Sequence, residues 1–532
     1  MNFRFKKILE KPIILLIAIN IMIGLFVYRD FGLTWDEPYF YSYGDALGYA
    51  YSPKEWFSGN FNLYNSYGVS GDDHKNRGPA YLFLARNIVY GLEALGSDSA
   101  SAWHLVNFLL FQVGIYFLYR ISKHWMKKSA ALFASAFFAS QPILWGHAFI
   151  NPKDPPFLTF FLASLCLGFE MVDAIEDNAR DKTKKILLAS FFLGIATSIR
   201  VLGPLAGLLI FIYFLSKGKA IQAVSAWRSF ILYGFLTVII MFATWPYLWE
   251  NPLGNFISVF QFMSDNPTEL QVLYEGIIFN AGGLPRSYLP FMLVTTLTEP
   301  TWLLFVIGLV DGYWKLIQNR RNDYKSFHDK VVSLTLTLSL LLILVAYVLI
   351  RRPSMYDGFR HFLFIVPPVF IFIGMGFQFI MEQISRWLNH PIWLHAMLGL
   401  LLIASGIQGI VKLHPYEYAY YNSFVGGTSG VAGKYETEYW LSCYKETIEV
   451  LNSRVKKDIN LYVARESYIA AYYANDNIHI FDLRTQIKNM KLDDYILVNS
   501  RSNENISVFQ EAPIVLEIKK NNTVFCVVKQ NR

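Results

Sequence analysis

The chain has 532 residues, of which 54% are hydrophobic and 17% aromatic, while only 16% are charged. A soluble globule carries about 25% charged residues, so this composition excludes one and predicts a multi-pass α-helical membrane protein. The net charge of +7 calls for no nucleic-acid partner, because the basic residues sit in short loops where they orient helices. The first apolar run, Ile13 to Tyr28, follows Arg4, Lys6, Lys7 and Lys11 and has no small-residue cleavage signal after it. It reads as a retained helix that leaves the N-terminus in the cytoplasm.

A long loop, about 29–101, follows outside, and loops of that length usually carry function. Within it, Pro79 to Leu95 is apolar but interrupted by Arg86 and Glu93. A charge at the centre of a span costs about 2.5–3.5 kcal/mol, so this segment reads as an amphipathic helix on the outer surface. Further spans are expected near 102–121, 129–149, 155–174, 186–200, 202–216, 230–249, 290–314, 332–350, 361–381 and 391–413. With the first run they make about eleven, each near the roughly 20 residues a bilayer requires. Gly203-Pro204 divides the pair around 186–216 and leaves each member short.

The loops assigned to the cytoplasm are all basic. They hold Lys123-His124-Trp125-Met126-Lys127-Lys128, Lys182-Thr183-Lys184-Lys185, Lys217-Gly218-Lys219 with Arg228, Lys315 to Arg321 with Lys330, and Arg386. This is the distribution the positive-inside rule requires, and an odd number of spans puts residues 414–532 outside. That tail alternates candidate strands (Asn460–Ala464, Ile478–Phe481, Tyr495–Val498, Ile514–Ile518, Val524–Val528) with a helix over Leu441 to Arg454. A turn at Lys519-Lys520-Asn521-Asn522 joins the last two strands, so the tail reads as a small α/β domain. The domains are thus 1–413, in the membrane, and 414–532, outside it. Cys166, Cys443 and Cys526 lie far apart without ligand spacing, arguing for neither a zinc site nor a disulfide framework.

Polar residues gather on the outer side: Asp36-Glu37, the cluster His74-Lys75-Asn76-Arg77-Gly78-Pro79, Asn151-Pro152-Lys153-Asp154-Pro155, Arg200, Arg286, Glu299, Arg351-Arg352 and Arg360-His361. Each has a plain structural reading. Arg351-Arg352 can snorkel to the interface, Asp154 can pair with Lys153, Glu299 can cap a helix, and His74 or His361 alone can be a satisfied structural histidine. Together, acids with Arg and Lys on one face suit a substrate with an anionic group and a hydroxyl to activate. Arginine forks hold phosphate, and the chain has no Walker loop or Gly-rich nucleotide turn, so a lipid-borne phosphate fits better than a nucleotide.

With these residues in view, the chain resembles the GT-C glycosyltransferases, in the branch of protein O-mannosyltransferases and bacterial aminoarabinose-type transferases. The resemblance rests on Trp35-Asp36-Glu37, the His74-to-Pro79 cluster, Asn151 to Pro155, and Arg360-His361-Phe362 through Pro367-Pro368. The stretch His414 to Asn422, Gly426-Gly427 and Tyr435 to Trp440 is similar to a feature of some bacterial members. It covers about residues 1–440. It implies inverting transfer of a sugar from a polyprenyl-phosphate donor to a lipid, glycan or protein acceptor outside a bacterial inner membrane. Asp36 matches the general base, with Glu37 beside it and Asp154 as the second-loop acid. His74, Lys75, Arg77, Lys153, Arg200, Arg351, Arg352, Arg360 and His361 are the candidate substrate-binding residues. Many relatives have His-Pro-Pro or Lys-Pro-Pro where this chain has Lys75 to Pro79, which leaves open whether Lys75 or Arg77 faces phosphate. No cofactor is required by the resemblance; some members use a divalent metal and others do not. The alternative is a transporter or flippase for a lipid-linked sugar, though such proteins bury their binding groups near the midplane and carry repeats. A non-catalytic assembly partner is a third reading.

Overall fold

The computed structural model describes residues 12–218, 222–265, 268–319, 324–387 and 393–532. Arg4, Lys6, Lys7, Lys11, Lys219, Arg320 and Arg321, which entered the loop-charge argument, lie outside these residues. Seven described helices are long and apolar enough to cross a membrane: Ser99–Ser122, Asp154–Glu176, Val224–Ala243, Pro300–Gln318, Tyr324–Arg351, Pro367–Arg386 and Trp393–Leu413. Pro12–Val27, Lys128–Ala139 and Pro204–Leu215 are shorter apolar helices, and Lys182–Ile199 packs between Asp154–Glu176 and Val224–Ala243. The first two of the seven are largely buried and form the middle of the bundle, whereas Val224–Ala243 and Trp393–Leu413 expose most of their apolar surface. Such exposure is what a lipid-facing helix requires.

Two expected spans are broken, and proline is the cause in each. The run near 129–149 is Lys128–Ala139 and Pro142–Ile150, and the run near 290–314 is Tyr288–Thr296 and Pro300–Asn319. Pro142 and Pro300 lack the N–H a continuing helix needs but suit a helix start. Gln141, at the first break, donates to Thr298 Oγ1 and accepts from Thr298 N–H at the second, each at 3.0 Å. Helices Pro300–Asn319 and Pro367–Trp387 touch closely at Gly308 and Gly376, where a side chain would overlap the facing backbone.

Pro79 to Leu95 forms the helix Ala80–Ala94, with one buried stripe of Ala80, Tyr81, Leu82, Ala85 and Val89. It packs on Glu37–Ala50 and Ser99–Ser122, and Arg86 reaches back to the Gly44 carbonyl at 3.1 Å.

The tail contains a five-stranded sheet. Its strands are β3 (Ile459–Val463), β4 (Ile478–Asp482), β5 (Tyr495–Asn499), β6 (Ile514–Lys520) and β7 (Thr523–Gln530), β1 (Gln271–Tyr274) and β2 (Ile277–Asn280) being a separate hairpin. The order is β4-β3-β5-β7-β6, parallel over the first three strands, with β7 antiparallel to both β5 and β6. The turn after Lys520 joins β6 to β7 as expected.

The cysteine reading needs correction: Cys443 and Cys526 form a disulfide between the helix Cys443–Arg454 and β7. Their separation of 83 residues carries no signal in sequence, and it is sheet packing that brings them together. The domain rests on the segment after the first helix. Trp35 N–H donates to the Trp440 carbonyl at 3.3 Å, Tyr468 hydroxyl to the Trp35 carbonyl at 2.7 Å, and Leu33 N–H to the Tyr473 hydroxyl at 2.8 Å.

Candidate active site

Asp36 holds the N-cap position of the helix Glu37–Ala50. An N-cap aspartate ordinarily accepts from the first free N–H groups of its helix. Asp36 makes no such bond; its Oδ2 instead faces Arg360 Nη1 at 3.5 Å. Glu37 points elsewhere. Its Oε2 accepts from Thr34 N–H at 2.7 Å, and its Oε1 meets the Tyr41 hydroxyl and, at 3.0 Å, His104 Nε2. Fully buried and fully engaged, Glu37 fixes the segment rather than sharing a site with Asp36.

Asp154 begins the helix Asp154–Glu176, where Asn151 Oδ1 accepts from the Lys153 and Asp154 N–H groups at 3.1 and 2.9 Å. Asn151 Nδ2 donates to Asp154 Oδ2 at 2.9 Å, and Arg200 pairs with Oδ1. Arg360 Nη1 also lies 3.6 Å from Asp154 Oδ2, so one guanidinium bridges the first-loop and second-loop acids. Its other nitrogen, Nη2, meets Asp357 Oδ2 at 3.0 Å, and its face stacks over Trp440 at 4.4 Å and Tyr356 at 5.0 Å. A planar fork in contact with three carboxylates is held in one orientation, as a lysine would not be.

Further cations surround the pair. Lys153 and Arg77 flank the same Phe40 ring, 5.9 and 5.8 Å from its centre. Lys153 forms no ion pair among the described residues, and Arg77 reaches only the exposed Asp73, at 3.5 Å. Burial first, then the charges of Arg77 and Arg200, hold the Lys153 amine well below the usual lysine range. Burial first, then the charges of Arg360, Arg200, Lys153 and Arg77, hold His361 well below the usual histidine range, its ring set against Tyr356. His74 is buried against Phe40, and its Nδ1 lies 2.6 Å from Ser70 Oγ. Burial, with Arg77 and Lys153 nearby, lowers it to about 3. The loop is docked by Gly78, which lies so close to the Ser198 carbonyl, two residues before Arg200, that any Cβ would overlap it.

The structure therefore gathers Asp36, Asp154, Lys153, Arg77, Arg200, Arg360, His74 and His361. It does not gather Arg351 and Arg352, which are exposed at the end of Tyr324–Arg351, nor Arg286, also exposed. Glu299 is occupied by the Ser423 N–H at 2.8 Å. Lys75 lies beside Tyr247, 6.0 Å from the ring centre, and its carbonyl accepts from Trp245 Nε1 at 3.2 Å. Sequence reasoning missed Asp357 and Arg501. Asp357-Gly358, three residues before Arg360, is a turn signal that could have drawn attention; Arg501 had none.

Among the described residues, Asp173, Glu176 and Asp329 lie close enough to share a cation, but at the opposite end of the bundle. Lys217 Nζ already fills that cluster, at 2.8, 3.2 and 2.7 Å from the three acids. At the candidate site the positive charge between Asp36 and Asp154 comes from Arg360 itself.

Residues 79–249 match the family model described as dolichyl-phosphate-mannose-protein mannosyltransferase. No curated protein matches the chain in sequence. Among solved structures, apo ArnT from Cupriavidus metallidurans aligns at 11% identity over 96% of this chain and 97% of its own, with a TM-score of 0.47. The apo oligosaccharyltransferase of Archaeoglobus fulgidus aligns at 10% identity over 92% of this chain and 69% of its own, with a TM-score of 0.50. At these identities the likeness is one of fold. The multi-pass GT-C-like architecture and the family resemblance read from the sequence are both borne out.

Proposed function

We propose that this protein, a glycosyltransferase of the GT-C type, moves a sugar from a polyprenyl-phosphate donor to an acceptor oxygen at the extracytoplasmic face of a membrane. The observation that carries this is the arrangement around Arg360: two buried carboxylates held beside Lys153, which forms no ion pair among the described residues, and Arg77, whose carboxylate partner is the exposed Asp73. Asp36 is the general base. The acceptor oxygen attacks the anomeric carbon, its proton passes to the Asp36 carboxylate, and the bond from that carbon to the phosphate oxygen breaks with inversion. A placed base contributes roughly 10²–10⁴-fold to such a step. The departing polyprenyl phosphate takes the electron pair, and fixed cations stabilise the growing charge.

Lys153 and Arg77 are the cations assigned to that phosphate, because Arg200 and Arg360 are matched to the buried carboxylates of the site. Lys153 forms no ion pair among the described residues, and the carboxylate that Arg77 meets is the exposed Asp73. A phosphate beside Lys153 also favours the charged form of its amine, opposing the burial and neighbouring cations that lower it. Arg200 holds Asp154, and Asp154 with Arg360 orients Asp36. The acceptor is a lipid, glycan or protein, and the polyprenyl tail lies among lipid-facing helices. The outward orientation of the site follows from the basic loops at the other end of the bundle.

Reconstituted protein given labelled polyprenyl-phosphate sugars tests the reading. Transfer of label to an added acceptor supports it. Label that crosses the vesicle membrane while remaining on its lipid would instead identify a flippase.

A further inference from the structure

The membrane site is tied to the C-terminal domain by one buried chain of charge. Asp357 Oδ2 lies 3.0 Å from Arg360 Nη2, while its Oδ1 lies 2.9 Å from Arg501 Nη2. Arg501 follows β5, 97% buried, and is fixed at three points. Its N–H donates to Asn499 Oδ1 at 2.8 Å, its Nη1 donates to the Tyr439 carbonyl at 2.7 Å, and its guanidinium lies 5.8 Å from the ring of Trp35, the residue before Asp36. Asp357 is fully buried and sits at φ +56°, in the left-handed region, a conformation that persists only where its surroundings enforce it.

We propose that Arg501 is a positioning residue for the transfer site, acting through Asp357 to hold Arg360 against Asp36 and Asp154. The argument is one of charge balance in a dry space. Asp357 divides its charge between two guanidinium groups, so Arg360 keeps positive charge to spend on Asp36 and Asp154. Without Arg501, the whole of Asp357 acts on Arg360 alone and draws it away from the two acids. Asp357 then keeps one counter-charge where it had two, an imbalance that a low-dielectric site tolerates poorly. Arg501 touches neither the reacting atoms nor the cations assigned to phosphate. Its loss therefore acts on the orientation of the base and not on the grip on the donor. The C-terminal domain is accordingly part of the catalytic unit.

The inference rests on the transferase reading, and the full-length protein tests both separately. Arg501→Met keeps bulk and removes charge; it should lower kcat by roughly 10²-fold, the cost of misplacing a catalytic group by about 1 Å, with donor KM little changed. Arg501→Lys should recover part of that loss. Adding Asp357→Asn to Arg501→Met removes the unbalanced charge, so the double variant should be no slower, and melt no lower, than Arg501→Met alone. Wild-type kcat in Arg501→Met, or a loss confined to KM, overturns the proposal. So does a double variant whose kcat and melting losses are the sum of the singles. A wild type that transfers no sugar overturns the transferase reading instead. The coupling of Arg501 with Asp357 is then judged by melting temperatures alone, with additive shifts counting against it.

Discussion

Glu37 Oε1 lies 3.0 Å from His104 Nε2, which turns the second acid of the Asp36-Glu37 pair away from the first. Two neighbours in sequence thus do different work. Glu37 ties the loop to the helix Ser99–Ser122, and Asp36 alone faces the cationic site. Glu37→Gln should lower unfolding free energy by about 1.5–3 kcal/mol, the range for hydrogen bonds to a charged group, seen as a reduced Tm. Turnover of the folded fraction should be retained. A Tm equal to wild type with turnover abolished would move Glu37 into the catalytic role.

The cations divide in the same way. Lys153→Ala and Arg77→Ala should each weaken polyprenyl-phosphate binding by about 10-fold or more, as expected where a charge-assisted contact of about 1.5–3 kcal/mol is lost. Arg351→Ala/Arg352→Ala should change donor affinity little, since both residues are exposed at a helix end. Binding measured by thermophoresis against a soluble polyprenyl phosphate decides this. The opposite ranking would return the phosphate to the Arg351-Arg352 pair.

Much of this was legible in advance because hydropathy and loop charge are local properties. Eleven apolar stretches, the long first loop, the strands and the final hairpin all follow from short-range patterns. The acids Asp36 and Asp154 and the cations around them were equally visible as motifs. The partnerships were not. Nothing in the sequence joins Asp357 to Arg501, or Cys443 to Cys526, because each of these contacts is set by packing between distant segments. Glu37 and Arg351-Arg352 show the converse: suitable residue types in suitable places, with Glu37 turned to Tyr41 and His104 and the two arginines exposed at a helix end.

His414 links the last membrane helix to the first loop, its Nδ1 2.7 Å from Glu417 Oε1 and its Nε2 2.9 Å from Asp30 Oδ2. Burial lowers its basicity, but the two carboxylates outweigh burial and hold it above the usual histidine value. A raised folded value means that the contribution to stability is complete below about pH 6.5 and is lost as pH rises through the folded pKa. The Tm difference between wild type and His414→Gln should therefore be largest in mildly acidic buffer and shrink toward alkaline pH. A difference that is flat or grows with pH would contradict the charged bridge.

Orientation is testable without activity. The ends of Lys182–Ile199 lie at opposite ends of the bundle, Lys182 near the basic loops and Arg200 at the site. Cysteine labelling of intact cells should reach residue 430 from outside, and residues 182–185 only after permeabilisation. The reverse pattern would put the site on the cytoplasmic side.

The most direct test of the transfer mechanism is single-turnover kinetics of Asp36→Asn, which keeps the size of the side chain and removes its capacity to take a proton. Sugar transfer from a bound polyprenyl-phosphate donor should fall by roughly 10²-fold or more, the share a positioned base supplies, with donor affinity preserved. Near-normal transfer by Asp36→Asn, with transfer abolished in Asp154→Asn, would move the base to the second loop. Near-normal transfer by both variants would contradict carboxylate-assisted transfer at this site.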